Sequence, residues 1–87
     1  MRPEPKLTLG ARADLREAAI RYGTIDPSLG YAFLDEFERV TSLIQESPLL
    51  FTLVDPPVRR ALFKRFPYVA IVDLRQEPAK IRRAYER

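Results

Sequence analysis

The chain reads as an α+β domain, an N-terminal helical hairpin packed on a small antiparallel β-sheet, and four stretches predict it. Residues 26–47 carry a strong helical stripe of large apolar side chains, and residues 8–23 carry a narrower, alanine-rich one. Residues 69–74, VAIVDL, form a near-continuous apolar run that reads as a central strand. In front of it lies RRALFKRFPY, which holds four cations (Arg59, Arg60, Lys64, Arg65), apolar residues between them and no acid. The length of 87 residues predicts a single domain, 1–87. A chain of this size buries only about 60–65% of the surface that its unfolded form exposes, so a partner chain is expected to help hold it.

Composition narrows the chemistry. There is no Cys and no His, which removes disulfides, thiolate metal sites and the commonest general base. No metal and no cofactor are expected. The start, MRPEPKLTLG, has no apolar core of a signal peptide, and no run approaches the roughly 18 apolar residues of a membrane span. The expected location is the cytoplasm, with no membrane contact. Residues 1–50 carry six cations and eight acids, net −2, whereas residues 51–87 carry nine cations and four acids, net +5. The basic second half suits an acidic partner, either nucleic acid or an acidic protein segment, or simply forms a solvated face.

In chain order, residues 3–9 hold two prolines and alternate weakly, which confines them to an edge strand or extended arm with Leu7 and Leu9 on one face. Thr8 is a candidate cap for the first helix, whose stripe is Ala11, Leu15, Ala18, Ala19 and Tyr22, with Gly23 expected to end it. Asp26-Pro27 restarts the chain as cap and first helical residue, and Pro48 stops the second helix at about Ser47. The second stripe is Leu29, Phe33, Phe37, Val40 and Ile44, read as core, with Asp35, Glu36, Glu38 and Arg39 on the wet side. Residues 48–57 form a connector in which Leu49, Leu50 and Phe51 tuck under the hairpin and Asp55-Pro56-Pro57 turns. Val58–Phe66 is expected to be a strand. After Glu77-Pro78 a last short helix, AKIRRAYER, is expected, with Ile81 and Tyr85 as its apolar pair.

An edge arm, a first helix with "ARADLREA", a second with "FLDEFERV", a proline and then "RRALFKRFPY", in this order and spacing, resemble the ParE branch of the ParE/RelE toxins of bacterial type II toxin–antitoxin pairs. The resemblance covers residues 6–68 and a piece at the C-terminus. It implies the same hairpin-on-sheet fold, a role in plasmid stabilisation, a cognate antitoxin that joins the chain in a hetero-oligomer, and DNA gyrase as a target blocked by binding. One departure stands out. A single apolar run separates Tyr68 from Arg75-Gln76-Glu77-Pro78, where the family runs two strands. This predicts a sheet one strand short with a bare edge, in which VAIVDLRQEP is the final strand or, alternatively, VAIVDL is the strand after FPY and the last strand is lost; the tail IRRAYER favours the first.

The superfamily's other branch cleaves mRNA on the ribosome. That chemistry needs a base for the 2′-hydroxyl, an acid for the leaving oxygen and cations for the developing charge. Arg75, Lys64 and Tyr68 are the candidates for those roles, although Tyr68 is read first as a packing residue, and without His a binder is favoured over a nuclease. The partner-binding candidates are Arg59, Arg60, Lys64, Arg65, Arg75, Arg82 and Arg83. The choice of Arg75 as the residue that carries toxicity rests on the resemblance. A remnant that only binds antitoxin is the third reading, prompted by the lacking strand.

Overall fold

Asp26 alone separates the two helices of the hairpin. In the computed structural model, which describes residues 2–87, α1 spans Leu9–Ile25 and α2 spans Pro27–Glu46. The Asp26 backbone N–H donates to the Tyr22 carbonyl and closes α1. Its carboxylate accepts from Ser28 N at 2.9 Å and opens α2, with Pro27 in the first turn. The Thr8 hydroxyl caps α1 by accepting from Ala11 N at 3.1 Å, and it donates to the Arg82 carbonyl at 2.7 Å. Gly23 does not end α1, as its residue type suggested. It lies within the helix against Gly30 of α2, where a Cβ on Gly30 would come within 3.0 Å of the Gly23 Cα. The missing side chains let the two backbones cross closely.

Five strands form one sheet in the order β1-β5-β4-β3-β2: β1 (Lys6–Leu7), β2 (Thr52–Asp55), β3 (Val58–Leu62), β4 (Tyr68–Asp73) and β5 (Lys80–Glu86). The last four meander antiparallel, but β1 pairs parallel with β5, so the sheet is mixed.

Lys80–Glu86 is therefore a strand and not the helix expected of AKIRRAYER, and it is the strand that the spacing left out. The sheet is not short. The reason is a β-bulge. Ile71 pairs with Arg83 and Val72 with Ile81, so Arg82 is an extra residue in the ladder. That insertion sets the two buried residues, Ile81 and Ala84, three positions apart, a helical spacing inside a strand. With β5 in place, Val69–Asp73 belongs to the penultimate strand, and Arg75 lies in the β4–β5 turn instead of at the end of the last strand. The connector changes too. Thr52–Asp55 is an edge strand, and Leu49 and Leu50 are 71% and 76% exposed rather than tucked away. β3 stops at Leu62. Phe63 and Phe66 both turn into the core around Arg65, whose φ of 72° is left-handed.

The core lies between the hairpin and one face of the sheet. Leu15, Phe33, Val40 and Ile44 meet Phe63, Phe66, Tyr68, Val72 and Ile81 there. Phe33 is its aromatic centre, with ring centroids of Tyr22, Phe63, Phe66 and Tyr68 between 5.1 and 5.5 Å away. Among the described residues no helix packs on the opposite face of the sheet.

Candidate partner-binding surface

Strand alternation decides what that open face presents. Inward residues of β3 and β4 alternate with outward ones, and pairing aligns the outward ones in rows across three strands. One row is Leu62, Val69 and Tyr85, and the next is Arg60, Ile71 and Arg83. Leu62 and Tyr85 are 44% and 49% exposed, and Val69 is buried between them. The face is thus an apolar row beside Arg60 and Ile71, while Arg83 at the end of that second row reaches round to α1.

The structure divides the predicted cations into two groups. Four are engaged within the chain. Arg59 donates to the carbonyls of Phe51, at 2.7 Å, and Leu49, and ties the start of β2 to β3. Arg75 grips Asp73 with its guanidinium at 2.6 Å and its backbone N–H at 3.0 Å, and Arg82 approaches the same carboxylate at 3.2 Å. Arg83 makes a two-point contact with Asp14 of α1 at 2.6 and 3.0 Å. The other three, Arg60, Lys64 and Arg65, are exposed and have no ion-pair partner among the described residues. Arg65 lies 5.9 Å over the Phe66 ring.

The acids that hold these groups are depressed in pKa. Asp73 lies well below the ordinary carboxylate range, first through the Arg75 side chain and then through its N–H. Asp14 is lowered by the hydrogen bond from Arg83 against the opposing effect of burial, helped by the Ala84 N–H at 3.0 Å. Glu36, expected on the wet side of α2, is buried instead. It accepts two hydrogen bonds from Arg39 at 2.7 and 2.8 Å and one from the Lys64 backbone N–H at 2.5 Å. It therefore fixes the loop that carries Lys64 and Arg65. Its pKa is lowered, chiefly by Arg39. Sequence reasoning missed Glu36, Asp14 and Asp73 as organisers. Only the charge of Asp73 inside the apolar run VAIVDL signalled one of them.

Arg75, Lys64 and Tyr68 do not converge. Lys64 and Tyr68 precede or begin β4 and Arg75 follows its end, a span of roughly 20 Å at strand rise. Tyr68 is a core residue. Its hydroxyl accepts a hydrogen bond from Arg21, and its ring packs edge-on against Phe33 and Tyr22. Burial raises the pKa of the neighbouring Tyr22.

No protein-family model matches the chain, and no curated protein matches it in sequence. A solved structure does match in shape. A chain of the "Chromosomal ParDE TA system from P. aeruginosa" superposes with a TM-score of 0.79 at 20% identity, over 95% of this chain and 94% of that one. Among the described residues no helix is long and apolar enough to cross a membrane. At this coverage the chain has, from its first strand to its last, the α+β fold of a component of a ParDE toxin–antitoxin system.

Proposed function

We propose that the chain is a ParE-like toxin that works by binding, is held by a cognate antitoxin in a hetero-oligomer, and acts on DNA gyrase in the cytoplasm of a bacterium. The observation that carries this reading is the uncovered sheet face. An apolar row, Leu62–Val69–Tyr85, lies beside the unpaired Arg60 and continues to the rigidly held loop bearing Lys64 and Arg65. Such a face suits an acidic, amphipathic segment of an antitoxin, with the apolar row taking its hydrophobic side and the cations its acids. Arg75, Arg82 and Arg83 contribute less as free charges, because Asp73 and Asp14 already hold them. Binding rather than cleavage fits the separation of Arg75 from Lys64 and Tyr68. The reason to suspect a remnant, a lacking strand, falls away with β5.

Induced expression in a bacterial host without antitoxin, following growth, plasmid supercoiling and mRNA integrity together, tests the proposal. Growth arrest with lost supercoiling and intact mRNA is expected. Arrest with cleaved mRNA moves the chain to the nuclease branch, and normal growth with soluble protein present leaves antitoxin binding as its activity.

A further inference from the structure

The side of the hairpin turned away from the sheet carries an apolar strip flanked by charges that enter no ion pair among the described residues. Ile20 of α1 (58% exposed) and Tyr31 (71%) and Leu34 (45%) of α2 border a shallow groove of about 300 Å³. Further along, the strip gives way to charge. Arg12, Arg16 and Glu17 are exposed on α1, and Asp35 and Glu38 on α2. None of the five enters an ion pair among the described residues. The helices run antiparallel and meet at Gly23 and Gly30, so on that register Ile20 stands level with Leu34, and Arg16 with Glu38.

We propose that two copies of the chain dock through this face, about a two-fold axis running along the hairpin. That axis lays α1 of one copy over α2 of the other at the same height. Ile20 meets Tyr31 and Leu34 of the second copy, while Arg12 and Arg16 meet Asp35 and Glu38, and the symmetry makes every contact twice. Charge selects this arrangement over the other two-fold one. An axis across the hairpin would lay α1 on α1 and α2 on α2, so that cations face the cationic helix and acids the acidic one. The helices, of 17 and 20 residues, offer a footprint of roughly 500–600 Å² per copy, about 1,000–1,200 Å² in total, at the lower end for a specific interface. The proposal is independent of the toxin reading, because it uses the face opposite the sheet.

Sedimentation velocity and light scattering on the full chain across the micromolar range test it. The expected result is a mass that rises with concentration to twice that of one chain. Tyr31→Glu and Arg16→Glu are each expected to move the midpoint up by about tenfold or more. Arg16→Glu combined with Glu38→Arg is expected to bring it back. All three positions are exposed or partly so, and circular dichroism checks that each variant keeps its helices. The chain has no Cys, so introduced ones report cleanly. Ile20→Cys mixed with Leu34→Cys is expected to form a disulfide-linked pair in greater yield than either alone. A chain that stays monomeric throughout, a dimer indifferent to Tyr31→Glu and Arg16→Glu, or cross-links equal in the single and mixed samples would each overturn the proposal.

Discussion

Glu36 shows how one side chain fixes a surface that it does not itself form. Its carboxylate is buried and still charged, because Arg39 and the Lys64 N–H meet it from two elements. Its pKa is lowered in the fold, so the ionised form stabilises the protein above the ordinary glutamate value of about 4.3. That contribution is lost as pH falls through the lowered value, and Asp14 and Asp73 add loss of the same sign. Denaturant melts from neutral pH into the acid range are therefore expected to show stability declining, with Glu36→Gln flattening the decline and costing roughly 1–2 kcal/mol at neutral pH. Arg65 offers the opposite case. Its left-handed backbone costs about 1–2 kcal/mol that glycine would not incur, offset in part by the flexibility of glycine when unfolded. Arg65→Gly is expected to leave thermal stability equal or up to about 1 kcal/mol higher while weakening antitoxin binding. A calorimetric melt beside a binding titration separates the two effects, and a large loss of stability would show that the conformation depends on the Arg65 side chain.

The hairpin and the sheet differ in how plainly their sequences announce them. Stripes, caps and the Asp26-Pro27 restart place both helices within two or three residues of where they lie, because each signal acts within a few positions. Gly23 was misleading because glycine both ends helices and lets them touch, and only the partner backbone decides which. The two positions are not equivalent. A Cβ at Gly30 would meet backbone at 3.0 and 3.1 Å, whereas at Gly23 the nearest atom, the Gly30 Cα, is 3.9 Å away. Gly30→Ala is expected to cost roughly 1–3 kcal/mol by forcing the helices apart, and Gly23→Ala to be neutral or stabilising by up to about 1 kcal/mol. Equal melting shifts for the two would show that the helices do not cross there. β5 was illegible for a non-local reason. The bulge at Arg82 is defined by its pairing with β4, and it erases the period-two pattern by which a strand is read. The candidate surface was legible in composition only. The cations were visible, but which of them are free depends on Asp14 and Asp73, and Asp14 lies 69 residues away from Arg83 in the chain.

Over the molecule, the charge asymmetry of the sequence becomes an asymmetry of faces. The acidic first half folds into the hairpin, and the basic second half supplies four of the five strands. An acidic partner such as the proposed antitoxin would be steered to the sheet side, with the free cations there carrying the salt dependence. Arg60→Glu is expected to slow antitoxin association by about tenfold at low ionic strength, with the gap to the native protein closing above about 0.5 M salt. Stopped-flow association rates across a salt series check this, and a loss equal at all salt concentrations would mean that Arg60 acts by packing instead. The pairing of β1 with β5 carries a consequence for how the protein is made. Synthesis delivers the hairpin first, but Thr8 and Asp14 are bonded to Arg82, Arg83 and Ala84, and the stripe on α1 is covered by β5. A nascent chain thus carries its helices with part of their apolar side bare until Lys80–Glu86 has been produced, and only then do β1 and β5 lock together. Chains that stop before Lys80 are expected to lack a stable fold, so the open sheet face forms only once β5 has been translated.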